Sequence, residues 1–438
     1  MNKRISFILP SLNVSEYIDE CLQSVMKQDV HDAEILCIDA GSTDGTMEKI
    51  ESYAAKDSRI EVIASNVKSY AHQVNIGIDR AIGEYIAIVE TDDYVTHQMY
   101  SKLVDATKKY SLDYAKAKWV YVYENKCGRY EECYIAPKQC LDFCGRTITP
   151  SEHISIFQYD GAIWSGIYRR GFLVENSIRL NETPGASYQD IGFLMQVYEK
   201  AGRAMYLDDI GYCYRYNRPG ASVGSKDVLK YVLDEWNYLE RLGMMTERVL
   251  SRMCVAVVCE TNKLIPVADC NLESKYILPY LEIIKEKISL MEKNGILPRN
   301  DDYVNKVRDI LDNYFVYADE LKSQHDRREQ IIRQLNDFLG DKRCIAFGGG
   351  AYGRRLFDLW GMDCGKIACY CDNSAEKLGK KIGPYSIVSV QEAFEQYRNC
   401  KVVIANKNSA EEIKGQLIGY GVLKSDIMCF DGRLLSTL

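Results

Sequence analysis

Three acidic side chains follow one apolar run within four residues. The run "IAIV" ends at Val89, and Glu90, Asp92 and Asp93 come after it. Like charges this close repel one another unless a cation neutralises them, and carboxylate oxygens suit Mg²⁺ or Mn²⁺ held jointly with the phosphates of a substrate. Aspartates are also common in turns and at helix N-caps, so Asp92 or Asp93 could simply cap a helix that begins near Val95. The clustering favours a cation site over that simpler explanation.

The residues around this cluster alternate between strand and helix patterns. Short apolar runs predict buried strands, and the segments between them carry helical spacing; the strand runs are "ISFILP", "EILCID", "IEVIAS" and "EYIAIV". Strands that are apolar on both faces and separated by helices are typical of a parallel sheet covered on both sides. The sequence therefore predicts an α/β fold whose first part is a doubly wound sheet.

Polar residues also follow the first two strands. Pro10, Ser11 and Asn13 lie at the end of the first strand, and Asp39 ends the second. In an open parallel sheet, ligands bind beyond the carboxyl ends of the strands, so these residues should meet the acidic cluster in one crevice. Taken alone, Asp39 could merely hydrogen-bond the turn that follows it.

Four motifs in order resemble the family-2 inverting glycosyltransferases, which have the GT-A fold. They are "ISFILPSLNVSEYIDECLQSV", "EILCIDAGSTDGT", "NIGIDRAIGEYIAIVETDDYV" and "YQDIGF", and the resemblance covers residues 4 to 225. It implies a nucleotide-sugar-binding domain, a hydroxyl acceptor and a divalent cation.

The same resemblance implies which residues bind the donor. The base and ribose would lie against the first loop, with Pro10, Ser11 and Asn13, and against Asp39, while Asn75 would belong to the segment that shapes the floor under the donor. Asp39 would accept a hydrogen bond from the base imide. Glu90, Thr91 and Asp92 would form the DXD motif. In it, Asp92 binds Mn²⁺ or Mg²⁺ between the two phosphates, and Glu90 contacts the ribose or a metal-bound water.

The sequence departs from the family pattern at three positions in these motifs. Glu90 stands where Asp is usual, Ala40 replaces an acid, and Val74 replaces an arginine before Asn75. Without that arginine another cation must neutralise the phosphates. Arg215 or Arg218 could do so from a flexible loop that closes over the donor.

Inversion at the anomeric carbon needs one base that takes the proton from the acceptor hydroxyl. Asp190 precedes a helical pattern, and by itself it would be interpreted as an N-cap. By the resemblance, Asp190 is the general base, and Gln189 stands beside the acceptor where the family usually has Glu. Trp164 could present a flat surface to the acceptor sugar or fill the core.

Two further regions follow a first domain of residues 1–225. Residues 226–340 carry helical spacing with few breakers, which predicts a helical spacer or packing region. Residues 341–438 form a smaller, Rossmann-like α/β pattern. Its G-x-G-x-x-G run follows a strand, and an acid ends the next strand: Gly348, Gly350, Gly353 and Asp372. This pattern could bind NAD or another nucleotide, or it could form only a tight turn in a packing or dimerisation domain.

Composition narrows the class of protein. The net charge is −7, and no basic cluster marks a nucleic-acid partner. The apolar start is too short for a signal peptide, and no other run reaches a membrane span. We therefore expect a cytoplasmic protein, for which peripheral contact with the inner face of the membrane is allowed.

Cysteines are numerous but scattered. We expect the 16 cysteines to be reduced. One group, Cys127, Cys133, Cys140 and Cys144, lacks a C-x-x-C pair, so ordinary thiols are favoured there over a zinc site.

These features predict a metal-dependent inverting glycosyltransferase of the hexosyl type. We expect the donor to be a nucleotide sugar, most simply a UDP-sugar. The acceptor would be a hydroxyl of a glycan or lipid-linked glycan in bacterial surface polysaccharide synthesis, and a homodimer is compatible with the sequence. Two alternatives stay open: a bifunctional sugar-nucleotide enzyme with an NAD-linked C-terminal domain, and a non-catalytic scaffold that binds nucleotide sugars.

Overall fold

The chain forms two compact units in the computed structural model. The structure describes residues 4–30, 32–125, 128–134, 142–216, 225–298, 300–360, 364–406 and 409–430. The first unit comprises residues 1–121, 133–215 and 219–314, and the second comprises residues 122–132, 216–218 and 315–438. The predicted division of the chain after residues 225 and 340 stays a prediction.

A mixed sheet is formed by the strands up to residue 215. They are β1 Ile5–Ser11, β2 Ala33–Asp39, β3 Ile60–Ala64, β4 Tyr85–Ile88, β5 Tyr94–Val95, β6 Tyr114–Asn125, β7 Gly128–Tyr134, β8 Gly166–Arg169 and β9 Ala204–Arg215. Eight of them follow the order β3-β2-β1-β4-β8-β6-β9-β5 across the sheet, and β7 pairs with β6 outside this order. The first four of these run parallel, whereas β8 is antiparallel to β4 and β6, and β5 is antiparallel to β9. The predicted α/β fold of the GT-A type is confirmed.

The register of the parallel strands aligns their carboxyl ends. Ser11 of β1 pairs with Asp39 of β2, and Ile8 of β1 pairs with Ile88 of β4. Every residue of β1 and β2 is buried, as expected for central parallel strands covered on both faces. The polar residues that end or follow these strands therefore lie at one edge of the sheet.

Helices alternate with the strands of the sheet, and a run of helices without strands follows β9. They are α1 Ile18–Met26, α2 Thr46–Ala54, α3 Tyr70–Arg80, α4 Met99–Tyr110, α5 Ile154–Tyr159, α6 Arg170–Glu175, α7 Gln189–Lys200, α8 Val228–Arg241, α9 Glu247–Leu264, α10 Leu278–Lys293 and α11 Asp302–Asp312. Short helical turns at Cys270–Leu272 and Glu273–Ile277 lead into α10. The predicted helical middle region is confirmed. Among the described residues, we find no helix with the length and apolar character needed to span a membrane.

A second, smaller sheet follows the long helix α12, Tyr314–Leu339. Its strands are β10 Cys344–Phe347, β11 Ile367–Cys371, β12 Lys381–Ile382, β13 Tyr385–Val388, β14 Lys401–Ile404 and β15 Ile427–Cys429, and its helices are α13 Ala351–Trp360, α14 Val390–Gln396 and α15 Ala410–Gly419. The strand order is β12-β13-β11-β10-β14-β15, and only the short edge pair β12-β13 is antiparallel. The predicted second α/β sheet is confirmed.

Helix α3 packs closely on β1 at Gly77. A Cβ atom at this position would lie 2.8 Å from Cγ1 and 2.9 Å from Cδ1 of Ile8. Ile8 is fully buried, so its side chain has no free space to move into. Glycine at this position allows the C-terminal half of α3 to pack closely against the middle of β1.

We predict that Gly77→Ala destabilises the first unit by about 1–3 kcal/mol, because overpacking a core contact outweighs the higher helix propensity of alanine. Urea unfolding followed by circular dichroism measures the change. The control is Gly202→Ala, whose Cβ would meet nothing nearer than Asp113 Oδ2 at 3.8 Å; it should change the free energy of unfolding by less than about 0.5 kcal/mol. Equal stability of Gly77→Ala and the wild type would contradict the close packing.

Candidate functional site

Asp39 holds the turn at the end of β2. Its Oδ1 accepts the backbone N–H groups of Gly41 at 2.9 Å and Ser42 at 2.8 Å, and its Oδ2 accepts the Ser42 hydroxyl at 2.6 Å. Asp39 is fully buried. The simpler explanation of this residue, hydrogen bonding within its own turn, is therefore what the structure shows. Contact with a nucleotide base stays a prediction.

The loop after β1 is tied to its neighbours on both sides. Asn13 is exposed and has a positive φ of 53°. Its N–H donates to Ser42 Oγ at 2.8 Å, and its Oδ1 accepts the Thr43 N–H at 2.9 Å. On the other side, Thr91 Oγ1 donates to the carbonyl of Pro10 at 2.7 Å. The structure thus brings the predicted donor residues of three strand ends together.

The acidic cluster divides into exposed and buried members. Glu90 and Asp92 are partly exposed, whereas Asp93 is fully buried. Burial and the neighbouring charge of Asp92 raise the pKa of Asp93, although the Arg215 N–H, which donates to its Oδ1 at 2.7 Å, offsets part of the shift. A raised pKa favours the neutral form of Asp93 and relieves repulsion in the cluster.

The suggestion that Asp92 or Asp93 caps the next helix is wrong. Helix α4 begins only at Met99, and the residue before it, Gln98, makes no side-chain cap. Asp93 instead joins the end of β4 to the end of β9 through the backbone of Arg215. In the described contacts, Asp93 fixes the position of the acidic cluster relative to β9.

Arg215 supplies the positive charge beneath these acids. Its guanidinium donates to the carbonyl of Asp92 and to Glu20, and it lies over the rings of Tyr17 and Tyr94 at 5.2 and 5.1 Å. Arg215 is only 5% exposed and is the last residue of β9, so its predicted position in a flexible loop is wrong. Arg218 lies outside the described residues.

The start of α3 joins the acidic cluster to the predicted catalytic segment. The Tyr70 hydroxyl donates to Glu90 Oε1 at 2.5 Å, and the next residue, Ala71, donates its N–H to Gln189 Oε1 at 3.1 Å. Ser69 Oγ, the N-cap of α3, donates to the carbonyl of Thr183 at 2.6 Å. These contacts fix the distance between two loops that are far apart in sequence.

Two predicted ligand-binding amides are engaged in internal contacts. Asn75 donates from Nδ2 to the carbonyl of Leu180 and accepts the Leu180 N–H at Oδ1, both at 3.0 Å. Gln189 Nε2 donates to the carbonyl of Thr183 at 2.6 Å and to its hydroxyl at 2.7 Å. Both side chains are buried. In the described contacts they position the segment before α7, and contact with donor or acceptor stays a prediction.

Asp190 stands in the first turn of α7 with a partly exposed carboxyl. It is not the N-cap, because Tyr188 occupies that position; Asp190 Oδ1 accepts the N–H of the next residue, Ile191, at 2.9 Å. Burial raises the pKa of Asp190, and the charge of Arg252 offsets part of this shift. A carboxylate with a raised pKa suits a general base near neutral pH.

Asp190 also lies within electrostatic reach of the acidic cluster. Burial and the charge of Glu90 raise the pKa of Tyr70, and the charge of Asp190 raises it further. The same tyrosine therefore experiences the charges of both predicted centres.

Trp164 is mainly a packing residue in the described contacts. It is 9% exposed and stacks on Tyr212 at 4.3 Å and on Tyr214 at 5.2 Å, with Trp119 edge-on at 5.1 Å. Most of its ring surface is thus covered by other aromatic rings. Binding of an acceptor sugar by Trp164 stays a prediction.

Three residues of this region are absent from the sequence-based set. Tyr70 could have been found, because it follows the third strand and the carboxyl ends of parallel strands share one edge. Arg252 and Glu235 come from helices that the sequence assigned to a spacer. Glu235 is 1% exposed, and burial raises its pKa to about 8. No local pattern could have placed these two beside Asp190.

The glycine-rich turn of the second unit is closed by Asp372. Gly348 has a φ of 126°, which only glycine adopts readily. Asp372 Oδ2 accepts the Gly349 N–H at 2.7 Å and the Lys377 ammonium at 2.9 Å, and its Oδ1 accepts the Ser374 N–H at 2.8 Å. Although burial acts to raise the pKa of Asp372, these contacts lower it. They support the simpler explanation, a tight turn, and binding of NAD or another nucleotide stays a prediction.

Among the described residues, no group of three or more His, Cys, Asp or Glu side chains is arranged to hold a metal ion. Mg²⁺ commonly takes only one or two protein carboxylates and completes its shell with water and substrate phosphates. The partly exposed Asp92 fits that mode. Of the cysteine group, only the Cys144 side chain lies within the described part.

Comparison with known proteins finds similarity to glycosyltransferases in the first part of the chain. Residues 6–139 match the family described as Glycosyl transferase family 2. The chain is 29% identical to the uncharacterized glycosyltransferase EpsJ of Bacillus subtilis over 49% of this chain and 61% of that protein, so it spans less than two thirds of that relative. It is 27% identical to the glycosyltransferase GlyG of Streptococcus pneumoniae over 53% of this chain and 77% of that protein.

A solved structure shows the same fold. The crystal structure of Staphylococcus aureus TarS 1-349 in complex with UDP-GlcNAc superposes with a TM-score of 0.52 and 22% identity, over 76% of this chain and 92% of that chain. At this identity the likeness shows the fold alone. It agrees with the predicted GT-A architecture.

We predict that Gln189→Glu destabilises the protein by about 2–4 kcal/mol at pH 8, because both amide hydrogens that meet Thr183 are lost and a buried carboxylate faces a carbonyl. Burial would raise the folded-state pKa of the new carboxyl above its unfolded value of about 4.3. The loss should therefore be smallest near pH 5 and should grow as the pH rises.

Urea unfolding at several pH values measures this dependence. Gln189→Ala is the control, because it removes the same hydrogen bonds without a titrating group and should show a pH-independent loss. A Gln189→Glu protein as stable as the wild type at pH 8 would contradict the hydrogen bonding described here.

Proposed function

We propose that the chain is a glycosyltransferase that moves a sugar from a nucleotide-sugar donor, expected to be a UDP-sugar, to a hydroxyl of a glycan or lipid-linked glycan. The region that matches Glycosyl transferase family 2 and the names of the relatives support sugar transfer. One observation carries the proposal: the start of α3 holds Glu90 and the Gln189-Asp190 pair together through Tyr70 and Ala71. These contacts link the predicted donor-side acid to the segment that carries the candidate base.

The reaction would be a direct displacement with inversion. Asp190 takes the proton of the acceptor hydroxyl. At the same time the oxygen of that hydroxyl forms a bond to the anomeric carbon, and the bond from that carbon to the diphosphate breaks. One carboxylate is sufficient because the acceptor itself is the nucleophile. The raised pKa of Asp190 makes it a stronger base than an exposed aspartate.

A divalent cation, Mn²⁺ or Mg²⁺, fits this site through Asp92, with Glu90 reached through water. When bound, it would stabilise the negative charge that develops on the leaving diphosphate. Arg215 holds the Asp92 backbone and thereby orients that carboxylate. Tyr70, by donating to Glu90, orients the other.

Substitution of Asp190 tests the proposed general base. Asp190→Asn should lower the transfer rate at least about 100-fold, because the general base is lost, while UDP binding stays within about threefold. Wild-type transfer should fall as the pH is lowered through the Asp190 pKa, which lies above the ordinary aspartate value of about 3.9. UDP release from a panel of UDP-sugars that begins with UDP-GlcNAc measures the rate, and NMR of the product gives its anomeric configuration.

A surface variant provides the control for this experiment. Asp209→Asn removes an exposed carboxylate that pairs with Lys102, and its transfer rate should equal that of the wild type. Full turnover in Asp190→Asn would exclude this residue as the base. Donor binding by the wild type without transfer to any acceptor would favour the scaffold alternative.

The adjacent residues Asp92 and Asp93 should respond differently to replacement by asparagine. Asp92→Asn should abolish the thermal stabilisation that Mn²⁺ adds to UDP binding, because a cation ligand is lost. Asp93→Asn should keep it, since the asparagine oxygen can still accept the Arg215 N–H and the native carboxyl already favours its neutral form. Thermal shift with UDP, with and without Mn²⁺, measures both variants. Retention of the Mn²⁺ effect in Asp92→Asn would contradict the assigned ligand.

A further inference from the structure

A cavity of about 600 Å³ lies in the first unit, and its lining contains none of the predicted donor, acceptor or catalytic residues. Its walls come from the end of α5, the start of α9 and the segment that leads into α11. Sites for small molecules commonly enclose about 300–1,000 Å³. The cavity is therefore large enough to hold a ligand of that size.

Asp301 holds the walls of this cavity together. It is 7% exposed and is the N-cap of α11, where its Oδ1 accepts the N–H groups of Tyr303 at 2.9 Å and Val304 at 3.0 Å. Its Oδ2 accepts Nε2 of Gln158 on α5, at 3.1 Å, and the hydroxyl of Ser251 on α9. Because one buried carboxylate joins all three helices, the walls keep their relative positions without a ligand.

Two tyrosine rings form an apolar surface in the cavity. Tyr159 and Tyr303 both line it and are partly exposed. Their ring centroids are 6.2 Å apart, their planes cross at 70°, and their hydroxyl oxygens are 3.5 Å apart. Aromatic rings of this kind bury the apolar C–H groups of a ligand.

Three carboxylates supply hydrogen-bond acceptors to the same cavity. Glu152, Glu247 and Asp302 line it and are exposed. With the residues that the structure describes, these carboxylates form neither an ion pair nor a hydrogen bond. Their oxygens are therefore open to the donor groups of a ligand.

The same lining disfavours charged ligands. Arg248 lines the cavity, but Glu199 already engages its guanidinium, with Nε 3.1 Å from Oε1 and Nη2 2.8 Å from Oε2, and the three carboxylates would repel an anion. In the described part of the chain, no group of three or more His, Cys, Asp or Glu side chains could hold a metal ion. Nζ of Lys306 already lies 5.5 Å from the centroid of the Tyr303 ring, where its charge would repel an organic cation. A neutral ligand with hydroxyl groups and an apolar face fits best.

We propose that this cavity binds a neutral saccharide, whose sugar ring packs its C–H face on the two tyrosines and donates its hydroxyl groups to the three carboxylates. Hydrogen bonds to charged acceptors are stronger than those between neutral groups, and aromatic rings cover the apolar face of the sugar. The inference goes beyond the proposed function, since none of these residues takes part in sugar transfer. Such a site would hold a glycan through a sugar unit other than the one that reacts.

Saccharide binding tests the proposal without catalysis. The full-length protein is titrated by isothermal calorimetry with maltotriose, cellotriose and chitotriose, and spermidine and inorganic phosphate serve as charged competitors. We expect at least one trisaccharide to bind in the millimolar range or tighter, and neither competitor to displace it. Glu247→Ala combined with Asp302→Ala should weaken its binding about 10-fold or more, because acceptors for its hydroxyl groups are lost. Failure of all three trisaccharides to bind the wild type, or displacement by spermidine or phosphate, would overturn the proposal.

Further variants locate the bound sugar. Tyr159→Leu removes one ring and should also weaken the trisaccharide, whereas Glu48→Ala, which removes another exposed acid from the first turn of a helix, should bind it like the wild type. Urea unfolding checks that each variant is folded, and UDP binding should be unchanged in all of them.

The outcomes separate this site from the transfer site. A trisaccharide affinity that the paired Glu247 and Asp302 substitutions leave unchanged would mean that the sugar binds elsewhere, and the proposal would be wrong. If the sugar binds in the cavity but no donor is turned over, the proposed function fails while the saccharide site stands.

Discussion

The hydrogen bonds at the start of α3 are the constraint on which the candidate site depends. Backbone N–H groups in the first turn of a helix have no partner within the helix. Here the Ala71 N–H is satisfied by the side chain of Gln189, and the N-cap Ser69 and the first residue Tyr70 each contact a different loop. Because β1 and Gly77 fix the position of α3 on the sheet, both loops are fixed with it. The distance between the donor-side acids and Asp190 is thus determined by one helix end.

The negative charge of the acidic cluster after β4 is reduced by the burial of Asp93 and balanced by the guanidinium of Arg215. Three acids follow β4, yet burial favours the neutral form of Asp93, and Arg215 lies beneath Asp92. The arginine itself is held by Glu20 and by two tyrosine rings. Such a network lets partly exposed carboxylates persist without a bound cation. A metal and a diphosphate would then add to an arrangement that the protein already supports.

The sequence predicted the elements better than the contacts of their side chains. Buried strands and amphipathic helices leave periodic patterns, so the two sheets and the helical region could be predicted from them. The role of Asp93 could not, because its partner Arg215 is 122 residues away in sequence. A loop was predicted at Arg215 because the turn-forming run "NRPG" follows it closely in the sequence. Tyr70 is absent from the predicted site because the prediction rests on the ends of only three of the four parallel strands.

Helix α8 of the helical region contacts both α7 and the segment before it. Asn181, in the segment before α7, donates to Glu235 Oε1 of α8 at 2.9 Å. A side chain at Gly192 of α7 would collide with the other oxygen of the same carboxyl, so α7 and α8 approach closely at this point. With its pKa raised to about 8, Glu235 favours the neutral form near pH 7 and adds little negative charge beside Asp190. Because α8 contributes Glu235 at this point, changes in this helix would alter the surroundings of α7 while leaving the strand ends of the sheet intact.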